Sequence, residues 1–203
     1  MELSDDTLTV SRELSALDKE VLEFTRILDT CEVDYVIVSG YVAILTGRSR
    51  STEDIDIILE SLSETETEQL VTELKNQGYW GMAMPLDEMY SMLSEGSRIR
   101  IAKKGEMYPN FETWFVSNDV EREALSNPLT VTFDEGRIKI SPLELQIAYK
   151  LRLAQAADSL SGKDFEDALH LYLTFEERFN TEQLETYLNE LGVEDYYAEL
   201  TGV

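Results

Sequence analysis

The sequence has little of several residue types, and each scarcity excludes a class of protein. Cys31 is the single cysteine among 203 residues, which excludes an intramolecular disulfide framework and a thiolate-rich zinc site. No apolar run approaches the roughly 20 residues that cross a bilayer, so we expect no membrane span. The start, MELSDDTLTV, lacks the basic region and apolar stretch of a signal peptide. These features predict a cytoplasmic protein without a membrane partner.

Positive charge is also scarce. The chain has 17 Lys and Arg against 41 Asp and Glu, and its formal net charge is −24. Such a charge excludes surface-wide binding to nucleic acid or anionic lipid, because phosphates would be repelled. Acidic residues spread along the whole chain favour a halophilic protein from a salt-rich cytoplasm, where ions screen self-repulsion. An ordinary acidic protein is the alternative.

The few basic residues are clustered. Six of the 17 fall into two short windows, which comprise Arg48 and Arg50, and Arg98, Arg100, Lys103 and Lys104. In so acidic a chain, local positive clusters are candidates for binding the phosphates of a nucleotide. Salt bridges to the surplus carboxylates are the alternative explanation. Nucleic acid, if it binds at all, would bind through these windows.

Hydrophobic periodicity predicts a sheet-containing half followed by a helical half. The spacing of apolar residues predicts helices over 8–30, 41–45, 64–77 and 86–94, and then over 141–157, 163–176, 181–191 and 194–200. Apolar or alternating runs predict strands at 35–38, 54–59, 97–102, 111–116, 129–133 and 137–140. Ser141, Pro142 and Glu144 predict a capping box at the start of the second half.

These elements predict an α+β fold, a mixed α/β sheet with a C-terminal helical subdomain. We expect the α/β domain to span residues 1–140 and the helical subdomain to span 141–203. With no repeat and no low-complexity linker between them, the two parts should pack together.

The segment around Asp54 and Asp56 carries the most specific chemistry. Residues two apart on a strand point the same way, so these carboxylates should share one face while Ile55 and Ile57 face the core. Two neighbouring carboxylates repel each other unless a cation lies between them, and their oxygens suit Mg²⁺ or Mn²⁺. The small pair Ser39-Gly40 between a strand and a helix would let a phosphate approach backbone N–H groups. A chance acidic pair that keeps the surface wet is the alternative.

These residues together resemble the signature of the nucleotidyltransferase superfamily of the polymerase-β type. The resemblance lies in Ser39-Gly40, a helix, Gly47, Arg50, Thr52 and Asp54-Ile55-Asp56. It is closer to small prokaryotic and archaeal members, among them toxins of abortive-infection toxin–antitoxin systems. In the helical half, Ser141-Pro142, Lys150 and the run from Lys163 to Asp167 are similar to the family's helical tail. The resemblance covers roughly residues 34–175.

The resemblance implies a site with three acids. Asp54 and Asp56 would bind Mg²⁺, and Glu112, where the family more often has Asp, would be the third acid, as a general base or a metal ligand. The resemblance further implies that Ser39, Gly40, Arg48, Arg50, Thr52 and Lys150 bind the nucleotide. The expected substrate is a nucleoside triphosphate, with ATP as the first choice.

The expected reaction moves a nucleoside monophosphate from a nucleoside triphosphate to a hydroxyl and releases pyrophosphate. The acceptor is a protein side chain, a tRNA end or a small molecule, and the sequence does not select among them. The alternative is a non-catalytic module that kept the fold and binds a nucleotide or a protein partner. The toxin of a toxin–antitoxin pair, with an antitoxin as partner, is a special case of the enzyme.

Two further features have plainer interpretations. Asp164 and Asp167 lie in the first turn of a predicted helix, where acids offset the helix dipole, and packing against Lys150 is a second role for them. Lys150 itself is either a nucleotide ligand or a lysine on the helix surface, paired with Glu144 or another nearby acid.

Overall fold

A computed structural model describes residues 1–4 and 6–202, and its centre is one mixed sheet. The described residues form nine strands in the spatial order β1-β2-β8-β9-β3-β4-β7-β6-β5. Their bounds are β1 Glu2–Ser4, β2 Thr7–Thr9, β3 Tyr35–Val38, β4 Asp54–Leu59, β5 Tyr79–Gly81, β6 Ile99–Lys103, β7 Asn110–Phe115, β8 Leu129–Phe133 and β9 Gly136–Ile140. The fold class predicted from the sequence is therefore confirmed.

Helices cover the sheet and continue as a helical C-terminal part. Their bounds are α1 Ala16–Thr30, α2 Gly40–Leu45, α3 Glu64–Asn76, α4 Met89–Ser94, α5 Asp119–Ser126, α6 Leu143–Ala156, α7 Lys163–Phe175, α8 Thr181–Leu191 and α9 Glu194–Thr201. A single 3₁₀ turn, Leu86–Glu88, precedes α4. Within the described ranges, none of these helices is long and apolar enough to cross a membrane.

The middle of the sheet positions the acids. β3 is buried along its whole length, as its continuous apolar run predicts. β4 runs antiparallel to β3 and parallel to β7, which places it between two paired neighbours. Along β4, Ile55 and Ile57 are fully buried, whereas Asp54 and Asp56 keep partial exposure. The alternation predicted for this strand is therefore present.

The N-terminal segment differs from the prediction. The expected helix over 8–30 begins only at Ala16, and Thr7–Thr9 instead pairs in parallel with β8. Leu8 and Val10 lie in the core beside this pairing. Ser15 caps α1 in a capping box with Asp18, so the helix starts where its own cap lies.

Three short elements were not predicted, and the capping box predicted at residue 141 is wrong. The sequence did not reveal β1, β5 or α5. At the start of α6, Ser141 is buried and its side chain caps no N–H, and the N-cap position is Pro142. The Glu144 carboxylate instead accepts a hydrogen bond of 2.9 Å from the backbone N–H of Asn180, which precedes α8. Glu144 thereby joins α6 to the start of α8. The division into an α/β domain over 1–140 and a helical subdomain over 141–203 stays a prediction.

Candidate active site

The structure brings Asp54, Asp56 and Glu112 to one face of the central strands. Asp56 is the register partner of Glu112 across the parallel β4–β7 pair, and Asp54 is the partner of Asn110. Register partners and residues two apart point to the same side of a sheet, so all three carboxylates share a face. The sequence predicted the pair on β4 from its spacing. The place of Glu112 beside Asp56 depends on strand pairing, which spacing alone does not give.

Asp56 carries uncompensated negative charge. The pKa of its carboxyl is raised to about 6, chiefly by burial and next by the neighbouring Asp54 carboxylate. The Ser39 side chain and the charge of Arg98 act in the opposite direction and lower this pKa, whereas Glu112 adds to the increase. A buried carboxylate beside two others has its ionised form disfavoured unless a cation joins them. The acids therefore fit a hard divalent cation such as Mg²⁺ or Mn²⁺.

Glu112 already has cationic partners. Arg98 Nη1 lies 3.2 Å from Glu112 Oε2, and Arg100 Nη2 lies 3.0 Å from Glu112 Oε1. Arg100 Nη2 also lies 3.8 Å from Asp54 Oδ2. Within residues 1–4 and 6–202, no group of three His, Cys, Asp or Glu side chains is arranged to hold a metal ion. The third acid of the site is thus paired with protein cations.

Ser39 has an uncommon backbone conformation at the junction of β3 and α2. Its φ of 63° and ψ of −131° lie where glycine is favoured, and such strain costs on the order of 1–3 kcal/mol. The side chain of Gln146, buried in α6, holds it on both sides. Ser39 N–H donates to Gln146 Oε1 at 3.2 Å, and Gln146 Nε2 donates to Ser39 O at 3.0 Å. The backbone N–H of Ser39, which we expected to cradle a phosphate, therefore donates to Gln146.

The basic residues expected at the nucleotide lie in an ionic cluster with α7. Asp167 is fully buried and contacts Arg48, Arg50 and Lys150, with 2.6 Å from Arg50 Nη1 and 2.9 Å from Lys150 Nζ. Lys150 Nζ also contacts Asp164 Oδ1 at 2.6 Å. The packing of the α7 acids against Lys150 is confirmed.

Two plainer interpretations from the sequence are only partly right. Lys150 is only 1% exposed, so it is a buried ion-pair partner and not a lysine on the helix surface. Asp167, as a buried carboxylate with three cations, does more than offset the dipole of α7. Buried charges need such partners because their desolvation is costly.

Gly40 and Thr52 shape the segment between α2 and β4. A Cβ on Gly40 would lie 2.9 Å from Arg50 Nη2, so the glycine leaves room for the guanidinium. Thr52 Oγ1 donates to the carbonyl of Asp54 at 2.8 Å. The threonine therefore orders the turn that enters β4, and its hydroxyl is directed at the backbone.

A pocket of about 230 Å³ opens beside the acids. Ser39, Asp56 and Arg98 line its polar side, and Trp114, Leu145 and Tyr149 contribute to its largely apolar wall. The guanidinium of Arg98 lies over the indole ring of Trp114, 3.8 Å from the ring centroid. Such a pocket can hold the apolar part of a small molecule next to the carboxylates.

Sequence reasoning missed Gln146 and the pairing of Glu112 with Arg98 and Arg100. No local pattern marks Gln146, because its partner is the backbone of a residue 107 positions away. A signal for the arginines did exist, since Arg98 and Arg100 alternate with Ile99 and Ile101 and share a face of the strand predicted over 97–102. What the sequence could not show is that β6 pairs with β7 in the register that sets Arg100 opposite Glu112.

Comparison with solved structures identifies the fold. A nucleotidyltransferase-like antigenic protein from Paracoccidioides brasiliensis is similar with a TM-score of 0.54 and 17% identity, over 93% of this chain and 94% of that one. The antibiotic-resistance factor ANT(2'')-Ia in complex with adenylyl-2''-tobramycin gives a TM-score of 0.55 and 11% identity, over 87% and 97%. The solution structure of the same factor gives a TM-score of 0.52 and 12% identity, over 91% of this chain and 94% of that one. Neither a protein-family model nor a curated protein sequence matches this chain. The chain has the nucleotidyltransferase fold.

Proposed function

We propose that this protein is a Mg²⁺-dependent nucleotidyltransferase that moves a nucleoside monophosphate from a nucleoside triphosphate to a hydroxyl group. The observation that carries the proposal is the convergence of Asp54, Asp56 and Glu112 on one face of β4 and β7. The nucleotidyltransferase fold supports it. The neighbour solved with adenylyl-2''-tobramycin favours ATP as the nucleotide to test first.

Each residue of the site has a role that its surroundings support. Asp54 and Asp56 would hold the metal ion, which when bound neutralises charge that develops on the phosphates. The Ser39 side chain lines the same pocket as Asp56 and favours the ionised form of that carboxylate. Glu112, which is in register with Asp56, would accept the proton of the acceptor hydroxyl. The pocket beside Asp56 would take the apolar part of a substrate, and the acceptor stays open among protein, tRNA and small molecule.

The second candidate is a non-catalytic module that binds a nucleotide or a protein partner. The observation that favours it is the pairing of Glu112 with Arg98 and Arg100, which leaves the third acid without a free carboxylate. A toxin of a toxin–antitoxin pair is a special case of the enzyme. Growth arrest on expression that disappears in Asp54→Ala/Asp56→Ala and is relieved by a neighbouring gene would support that case.

Isothermal titration in high KCl tests the proposal. Each of the four nucleoside triphosphates is titrated with Mg²⁺ into the native chain and into Asp54→Ala/Asp56→Ala. The matched control is Asp34→Ala/Asp87→Ala, which removes two carboxylates that are 66% and 71% exposed. Asp34 lies by the end of β4 that is opposite to Asp54 and Asp56, and Asp87 lies in the 3₁₀ turn before α4. We expect metal-dependent binding in the native chain and the control and none in the site variant. Absence of binding by the folded native protein would refute the enzyme.

Catalysis is then tested with the nucleotide that binds best. The triphosphate, labelled at its α-phosphate, is incubated with the protein, tRNA or a panel of small hydroxyl compounds. Release of pyrophosphate together with transfer of the label to one of them supports the enzyme. Nucleotide binding without any transfer, including transfer to the protein itself, would support the non-catalytic module.

A further inference from the structure

Two groups of basic residues lie near the candidate active site, and they differ in their surroundings. Arg48, Arg50 and Lys150 contact the acids of α7 and are largely buried, with side-chain exposures of 15%, 15% and 2%. Arg98, which immediately precedes β6, and Arg100 on β6 have side-chain exposures of 48% and 54%. The cations that can reach a ligand without dismantling a buried cluster are therefore Arg98 and Arg100.

The side chains of Arg98 and Arg100 face the acids. Both lie within 3.2 Å of the Glu112 carboxylate, and Arg100 also approaches Asp54. Arg98 lies over Trp114 and shares the pocket with Asp56. Stacking on an aromatic ring fixes the plane of a guanidinium, while its N–H donors stay available for an anion. The N–H donors of each arginine that now contact a carboxylate can therefore contact a phosphate group.

Glu112 and a bound phosphate group would compete for the same two guanidinium groups. Glu112 accepts hydrogen bonds from both guanidinium groups, and its own side chain is 15% exposed. Each of its two carboxylate oxygens accepts a hydrogen bond from one guanidinium group, so both oxygens are already engaged. A phosphate group carries more charge than a carboxylate and accepts bidentate hydrogen bonds from arginine in the same way. A bound triphosphate can therefore draw both arginines away from Glu112.

We propose that Arg98 and Arg100 are the phosphate-binding residues of this site, and that their transfer from Glu112 to the nucleotide frees Glu112 to act as the base. The inference rests on the proposed function and adds an order of events to it: the nucleotide binds before the acceptor hydroxyl loses its proton. In the step that follows, the acceptor oxygen forms a bond to the α-phosphorus while its proton passes to Glu112. The bond from the α-phosphorus to the oxygen bridging the β-phosphorus breaks, and pyrophosphate leaves with that electron pair.

Titration with a non-reacting nucleotide tests the phosphate contacts. The probe is the α,β-methylene analogue of ATP with Mg²⁺, in which CH₂ replaces the bridging oxygen of the bond that breaks. We expect Arg98→Gln and Arg100→Gln each to weaken its binding by about tenfold or more, because each loses a charge-assisted contact. The control Arg137→Gln removes the same charge from an exposed position on β9 and should bind as the native chain does. Arg98→Lys and Arg100→Lys keep the positive charge but lose the bidentate geometry of the guanidinium group. Their affinity for the analogue should therefore lie between that of the native chain and that of the glutamine variants.

Glu112→Gln tests the exchange. Because the amide competes less for the arginines, we expect the analogue to bind at least as tightly as it does to the native chain. Transfer should fall by about a hundredfold or more, with no rise in the KM for the nucleotide, since the proton acceptor is lost. The arginine variants should show the opposite pattern, a raised KM for the nucleotide. A residue that only supports the fold would not separate the two constants in this way.

The outcomes distinguish the two proposals. If the analogue does not bind to the native chain, the proposed function fails and the inference fails with it. If it binds and the Asp54→Ala/Asp56→Ala variant abolishes binding while the arginine variants bind normally, only the inference fails. If Glu112→Gln weakens binding as strongly as the arginine variants do, Glu112 merely holds the arginines in place and the exchange is refuted.

Discussion

Asp167 is a fully buried carboxylate, and three cations depend on it. Its loss would leave Arg48, Arg50 and Lys150 buried with too little negative charge. We expect Asp167→Ala to lower the free energy of unfolding by about 3–5 kcal/mol, the typical cost of breaking a buried ion pair from one side. Urea unfolding measures the change.

The control for that substitution is Glu166→Ala. Glu166 also contacts Arg48, but its side chain is 55% exposed, so its loss should cost less than about 1 kcal/mol. If the two substitutions lower the free energy of unfolding equally, burial of the carboxylate does not determine how much it contributes to stability.

Asp56 has the opposite effect on stability. Its pKa is raised to about 6 from an ordinary 3.8, so its ionised form is less favourable in the folded chain than in the unfolded one. No cost is present below about pH 3.8; the cost grows as the pH rises and is complete above about pH 6. In metal-free buffer, Asp56→Asn should therefore raise the free energy of unfolding by about 1–3 kcal/mol at pH 8. The gain should shrink toward pH 4, as urea titrations at several pH values would measure.

Exposed Asp34 provides the matched comparison, because Asp34→Asn removes one charge outside the site. If Asp56→Asn is no more stable than this control at pH 8, the carboxylates on β4 do not repel one another as described.

Among the elements, α1 is fixed at its start by one carboxylate. Asp18 accepts hydrogen bonds from Arg12, from Ser15 and, at 2.8 Å, from the hydroxyl of Tyr41 on α2. Burial alone would raise its pKa, but these hydrogen bonds outweigh burial and lower the pKa below 3.8. The carboxylate therefore joins α1 to the short helix that follows Ser39.

The lowered pKa of Asp18 determines how its contribution depends on pH. A lowered carboxyl pKa stabilises the folded chain above the ordinary value and loses that effect as pH falls through the folded value. We expect Asp18→Asn to cost about 2 kcal/mol at pH 7 and progressively less below pH 4. Thermal unfolding of both chains from pH 7 to pH 3 checks this, and a cost that persists unchanged at pH 3 would contradict it.

The elements that the sequence predicted well are those whose own residues decide their structure. The strands β3 and β4 have continuous or alternating apolar patterns, and the helices α3, α7 and α8 have clear apolar stripes. In contrast, β1, β2 and β5 are three residues long, too short for a period to show. In α5, Ala124 is the only buried residue within the helix, so no apolar stripe marks it. Its start is given by Asn118, which caps Glu121 N–H.

The same division applies to the candidate site. The shared face of Asp54 and Asp56 follows from strand geometry and could be predicted locally. The partners of Arg50, Lys150 and Glu112 could not, because they are set by how α7 packs and by the register of β6 on β7. Long-range pairing decides which cation faces which acid, and a single sequence does not encode it in any spacing.

At the scale of the whole molecule, the net charge of −24 predicts a dependence on salt. Repulsion among surplus carboxylates destabilises the compact state, and ions screen it over about 10 Å at 0.1 M and about 3 Å at 1 M. We expect the Tm to rise by about 5 °C or more between 0.1 M and 2 M KCl. The Tm should rise most steeply below 1 M KCl. Sucrose at equal osmolality is the control and should not give the same dependence of Tm on concentration. A Tm that is flat or falls with KCl would contradict the screening argument.

The stacking of Arg98 on Trp114 gives this molecule an intrinsic optical reporter. The chain has two tryptophans, and Trp80 lies on the edge strand β5, away from the acids. Replacing Trp80 with Phe would leave one fluorophore, whose indole is covered by the guanidinium that we assign to phosphate. Emission of that indole in a stopped-flow instrument would then follow the arginine itself, separately from the appearance of product. The order of nucleotide arrival, arginine movement and bond formation could thus be timed on one unlabelled protein.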